Sequence, residues 1–279
     1  MNNFQSHQNT LATVAVKSLK LTKFIASSTL AFGAMVSFGN APAQAFQIFF
    51  GEDLNNSPFV PLSSTPNAST AESDFLSNLV GIGTEDFEGF AANTTDPLNL
   101  VFPGSTGNLT ATLSGGNGSV SSVPVGSTNG FGRYATSGTN FWQVAAGGSN
   151  NFQVDFSTEI AAFGFYGIDI GDFGGQLVVE LSNGTTQQFT VPNTGGSFGS
   201  TDGSVIFFGL VAEDASEVFT SFEFLTTTGQ GDVFAFDDFT IADIQQIQSP
   251  SPVPAPEPAS ILGLLAVGAV GAGSKLKRK

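Results

Sequence analysis

The sequence predicts an all-β fold, an antiparallel β-sandwich of the jelly-roll kind, and three observations carry that expectation. Short runs of alternating apolar and polar residues recur between positions 86 and 241, bounded by Gly, Asn, Ser or Thr. Phe-x-Phe pairs recur within them at Phe163 and Phe165, Phe222 and Phe224, and Phe234 and Phe236. A strand period of two puts both members of each pair on one face, toward a core. Helical periodicity, by contrast, is almost absent from this region.

In chain order, the one helical pattern comes first. Ser69 and Glu72 form a capping box over 69–81, Phe75, Leu76, Leu79 and Val80 make an apolar face, and Gly81 is placed to end it. A short helix is therefore expected before the main sheet. Strands are expected at 86–90, 98–102, 109–113, 119–125, 131–135, 141–145 and 152–156, then at 162–168, 176–181, 187–191, 205–210, 219–225 and 233–241. Asn183-Gly184 marks a tight hairpin between two of them, because both residues tolerate positive φ. The chain has 29 Phe but only 2 Tyr and 1 Trp, so its aromatics serve mainly to pack. No internal repeat appears, which argues for a sandwich over a propeller or β-helix.

The two ends have different chemistry. Lys17, Lys20 and Lys23 precede an uncharged apolar stretch, 24–39, and Ala43-Gln44-Ala45 supplies the small residues of a signal-peptidase site. Residues 1–45 read as a signal peptide, cleaved after Ala45. Residues 46–83 are then a lead-in carrying the short helix, and 84–248 the sandwich ectodomain. A Pro-rich linker follows at 249–258, extended by its composition. Residues 259–273 are uncharged and mostly apolar, and the basic run Lys275 to Lys279 follows. Fifteen helical residues would span about 22 Å, short of a hydrocarbon core of about 30 Å, though lysines can snorkel. Both basic ends belong on the cytoplasmic side and the acidic middle outside.

This order of parts resembles the PEP-CTERM sorting signal of Gram-negative bacteria. The residues that carry the resemblance are Pro256-Glu257-Pro258, then Ala259-Ser260, the short apolar helix and the basic end. Ala255 departs slightly, standing where valine often precedes the motif. The resemblance implies an exosortase as partner. It also implies inner-membrane anchoring through the C-terminal helix, then release to the cell surface or an exopolysaccharide matrix.

Charge narrows the function. All 23 Asp and Glu lie between Phe46 and Pro258 and face a single base there, Arg133, a net charge of −22. Such a surface repels phosphate backbones, excluding nucleic acid, but attracts divalent cations and does not oppose neutral sugars. Adaptation to high salt would call for a densely charged surface, whereas only 11% of residues are charged. The chain has no Cys, and its one His, His7, falls in the signal segment. The mature ectodomain therefore lacks the base of a Ser-His-Asp triad, a thiol nucleophile, a Schiff-base lysine and a His or Cys zinc site. Only carboxylate chemistry survives, so the expectation is a non-catalytic protein.

Carboxylates also bind calcium, which takes six to eight oxygens. Glu85-Asp86-Phe87-Glu88 opens the β region and Phe236-Asp237-Asp238-Phe239 lies in its last strand. The layout resembles calcium-stabilised carbohydrate-binding jelly rolls, in which first and last strands adjoin. That resemblance implies Glu88 and Asp237 as ligands of a structural calcium, with Asp238 and Asp86 next. The other reading of these acids is a solvated polar face. Asp169 and Asp172 form a second acidic turn, read as a solvated loop, and Arg133 is expected in an internal ion pair. Trp142 and Tyr134 are candidate sugar-stacking platforms, with core packing the competing role. The function expected is a sorted surface or matrix protein, structural or adhesive and facing extracellular polysaccharide. The alternative is a carbohydrate-binding module with structural calcium, and the third reading a carboxylate glycosidase.

Overall fold

The computed structural model describes residues 46–248 apart from 183, 185 and 198. The expected signal peptide, linker, sorting motif and apolar C-terminal helix lie outside the described residues. Among those described, no helix is long and apolar enough to cross a membrane.

Two antiparallel sheets face each other as a sandwich. The first runs β1 (Phe46–Asp53), β11 (Val205–Ala212), β8 (Ala162–Ile168), β13 (Asp232–Ala242), β6 (Asn140–Ala146) and β5 (Ser119–Ser122), with β2 (Thr84–Glu85) added beside β13. The second runs β10 (Thr186–Thr190), β9 (Leu177–Ser182), β12 (Phe219–Thr226), β7 (Phe152–Ile160), β4 (Asn108–Ser114) and β3 (Leu98–Pro103). All three Phe-x-Phe pairs point into the single core between the sheets. Their rings interleave from opposite sides: Phe163 of β8 meets Phe222 of β12 at 4.1 Å, and Phe224 meets Phe236 of β13 at 5.0 Å.

A second core lies on the outer face of the first sheet, where helix α1 (Pro66–Leu76) packs. Ala68, Ala71 and Phe75, at helical spacing, form its buried stripe. Gly164 on β8 and Gly209 on β11 are register partners, and a Cβ on either would come within 2.7 Å of the Phe75 ring. The two glycines thus form the slot that seats Phe75, with Phe49 and Phe207 against the ring at 5.8 and 5.5 Å. Covered on both faces, β8 and β11 are buried at every position.

The helix starts earlier than the sequence suggests. Pro66 occupies its first turn, where a fixed φ and a missing N–H cost nothing. Ser69 is inside the helix, and no capping box forms there. Asp53 at the end of β1 caps it instead, accepting from the N–H groups of Asn67 and Ala68 at 3.2 and 2.9 Å. A Cβ on Gly51 would lie 2.1 Å from the Asn67 carbonyl oxygen, so glycine is what lets the first turn sit this close to β1. Residues 46–83, expected as a lead-in, therefore supply an edge strand and the cover of the first sheet.

Two further strands depart from expectation. Residues 131–135 form no strand, because Gly130 and Gly132 take φ of 87° and 83° and turn the chain. Residues 86–90 form the turn after β2, with Phe87 at φ 60° and its ring fully buried.

Candidate functional site

The first and last strands of the region do adjoin, since Glu85 pairs with Phe239 and Thr84 with Thr240. The bulge that lets β13 change neighbours falls between Asp237 and Thr240, and Asp238 adopts φ 48° there. The four acids expected to share an ion also accept hydrogen bonds from the protein, Asp237 and Asp238 in part from the same Thr136 hydroxyl. Asp237, fully buried, accepts at Oδ2 from Thr136 N–H at 2.7 Å, Thr136 Oγ1 at 2.9 Å and Ser137 N–H at 3.1 Å. Its Oδ1 accepts from Asp238 N–H at 2.9 Å. Asp238 accepts from the hydroxyls of Thr136 and Ser137 at 3.0 and 2.8 Å. Glu88 accepts from Thr139 and Asn140 N–H at 2.6 and 2.5 Å, and Asp86 from Glu88 N–H at 3.1 Å.

Burial pushes Asp237 well above the usual carboxylate range, Asp238 beside it adds to the rise, and the donors oppose it. Burial likewise raises Asp238. Glu88, near the surface, is held below its ordinary value by the Thr139 and Asn140 amides. These acids bind the 136–140 loop to β13 and to the turn after β2.

The carboxylates that do converge are Asp169, Asp172 and Asp202, which offer one oxygen each within 4.8 Å of one another. They line a cleft of 310 Å³ with Asp232, Arg133 and Phe131. Arg133 makes the internal ion pair expected of it, 3.1 Å from Asp169, and donates to the Val233 carbonyl at 2.7 Å. Its guanidinium also lies over the exposed Phe131 ring at 5.5 Å. Gly203 N–H gives Asp169 a second donor at 3.1 Å. The turn expected to be solvated is thus half interior, for Asp169 is buried.

One arginine cannot neutralise four acids. Burial pushes Asp169 up to about 7, against the opposing pull of Gly203 and Arg133. Burial, then a hydrogen bond shared with Asp232, pushes Asp172 up to about 8. Three oxygens within 4.8 Å of one another leave room for one cation between them, with Ca–O distances of about 2.3–2.6 Å. Asp202 and Asp232 lie far from the turn in sequence, so no local pattern announces the group.

A pH dependence follows. Unfolded carboxyls titrate near about 3.9, so between that value and about 8 the folded chain holds protons that the unfolded chain has lost. Stability must then fall as pH rises across this window. In metal-free buffer the melting temperature is expected to decline from pH 4 toward pH 8 and then level, and Asp172→Asn should flatten the slope. A melting temperature that climbs through the window would contradict the sign.

Neither aromatic candidate presents a ring face to solvent. Trp142 is fully buried, stacked on Phe87 at 6.3 Å and 18°, with its indole edge filling the space that the absent side chain of Gly118 leaves. Alternation along β6 decides this, since Trp142, Val144 and Ala146 all point into the core. Tyr134 is buried among the residues under α1, and its hydroxyl donates to the Gly203 carbonyl and accepts from Leu62 N–H.

No curated protein matches the chain. Among solved structures, it is similar to the K2 cleaved adhesin domain of Lys-gingipain, at 17% identity over 58% of this chain and 97% of that one, TM-score 0.36. A family 29 carbohydrate-binding module is similar at 14% identity, over 50% of this chain and 88% of the module, TM-score 0.29. TmCBM61, solved with β-1,4-galactotriose, is similar at 17% identity, over 47% and 86%, TM-score 0.24. Residues 254–279 match the family described as the PEP-CTERM protein-sorting motif. The chain carries a PEP-CTERM sorting motif.

Proposed function

We propose that this chain is an exported, exosortase-sorted surface or extracellular-matrix protein whose jelly-roll-like ectodomain has a non-catalytic, structural or adhesive role. The match of residues 254–279 to the sorting motif is the observation that carries the reading. The signal-peptide pattern before Phe46 and the placement of every acid between the two basic ends support export. An ectodomain without His, Cys or Lys, in which the largest acid cluster leans on its only arginine, supports an interaction role over catalysis. Calcium stays part of this reading, with Glu88, Asp237, Asp238 and Asp86 as the ligands expected from the sequence and Asp169, Asp172 and Asp202 as a second group of carboxylates. Carbohydrate binding is the second reading, favoured by a groove lined by 61–65, Val125, Gly126 and Tyr134 to Thr136, with no charged residue among them.

Sorting is tested by replacing Pro256, Glu257 and Pro258 with Ala in the full chain and following it by fractionation and mass. The native chain is expected to lose its tail near Pro258 and to reach the outer surface or medium. The variant should keep its tail and stay with the inner membrane. Identical fractionation and mass for the two would sink the sorting reading.

A further inference from the structure

Between the segment that leads into α1 and the loop after β5 lies a groove of 390 Å³. One wall is 61–65 and the other is Val125–Gly126, with Tyr134 to Thr136 at the base. A smaller hollow of 120 Å³, also lined by Val125 and Tyr134, adjoins this base. Although residues 46–258 carry a net charge of −22, the groove is lined by no Asp, Glu, Lys or Arg. Its one titratable side chain, Tyr134, is pushed up to about 12, chiefly by burial, and is neutral at any physiological pH.

The lining alternates two chemistries. Ser63 and Ser64 stand exposed and offer hydroxyls, whereas Pro61 and Val125 offer apolar surface, Val125 being 80% exposed. A pyranose presents the same pair, a C–H face and a rim of hydroxyls. An ion finds no opposite charge here, and a phosphate or uronate polymer must also approach a strongly acidic domain. One wall and the base are held in place before any ligand arrives. Leu62 N–H donates to the Tyr134 hydroxyl at 3.1 Å, and Thr136 is fixed from behind by Asp237 at 2.7 Å. Little ordering is then left to oppose binding.

We propose that this groove binds a neutral, hydroxyl-rich polysaccharide along Ser63, Ser64 and Val125, with Tyr134 as its buried support. The proposal rests on the interaction-protein reading above and gives that role a location and a ligand class.

The test is calorimetric titration of the full chain in detergent with neutral hexasaccharides of the glucan, xylan, galactan and mannan types. At least one should bind, with an affinity unchanged between low and high salt, since no charge lines the groove. Val125→Asp, at a side chain outside the core, should weaken that binding at least ~10-fold. Val101→Asp, the same change on β3 of the other sheet, should leave it unaltered. The proposal fails if none of the four sugars binds or if both variants bind like the parent. It fails equally if chelation or Asp202→Asn removes the binding, or if a peptide of residues 249–258 takes the groove in place of the sugars. A chain that reaches the surface yet binds no neutral sugar refutes the groove alone, whereas one retained in the cytosol refutes the sorting alone.

Discussion

Replacing Phe75 with Ala is expected to lower unfolding free energy by about 3–5 kcal/mol, the usual range for emptying a site filled by a fully buried phenylalanine. The slot cannot collapse readily, because its floor is the backbone of two paired strands at Gly164 and Gly209. Gly209→Ala alone should cost about 1–3 kcal/mol by pushing a methyl group into the ring, 2.7 Å from its nearest atom. In the Phe75→Ala background the same methyl enters the vacated space, and its cost should largely vanish. A double-mutant cycle by denaturant unfolding measures this coupling. Simple additivity would show that α1 does not sit in the glycine slot.

Asp237→Ala should cost roughly 3 kcal/mol, because it strands the half-buried donors of Thr136, Ser137 and Asp238 together. Glu88→Ala, at an exposed carboxylate, should cost less. Chelation of the parent tells whether those amides and hydroxyls are the whole support of the side chain, in which case the melting temperature stays unchanged. A chelator that lowered the melting temperature as far as Asp237→Ala does would instead place a cation at β13.

The core was largely legible in the sequence. The strand that the pattern predicts over 162–168 is β8 to the residue, and every Phe-x-Phe pair faces inward as its period requires. Local alternation is a direct record of which face is buried. Elements defined by distant partners were not legible. The run that forms β1 follows the predicted cleavage site and reads as a lead-in, yet it has eight partners on β11, more than 150 residues away in sequence. The capping box at Ser69 and Glu72 is a good local signal that lost to Pro66 and to a cap supplied by Asp53. Glu72 serves elsewhere, accepting from the Tyr166 hydroxyl at 2.8 Å.

The site was half legible for the same reason. Adjacency of the early and late acids followed from topology, and β2 does pair with β13. Most donors to Asp237, Asp238 and Glu88 come from the 136–140 loop, whose Thr-Ser-Gly-Thr-Asn sequence looks like any turn. Asp169 and Asp172 were visible as a turn, but their partners Asp202 and Asp232 arrive through folding alone. Trp142 follows Phe141 directly, so adjacent large aromatics point to opposite faces, and only the sheet's facing decides that Trp142 enters the core between the sheets.

The double covering of β8 and β11 bears on how long the ectodomain lasts outside the cell. An amide in β8 has a strand on either flank and packed side chains above and below. No partial loosening exposes it, and its exchange with solvent requires the domain to come apart. Edge strands such as β3 and β10 can fray and reseal while that slab persists, so proteases in the medium would find the periphery long before the centre.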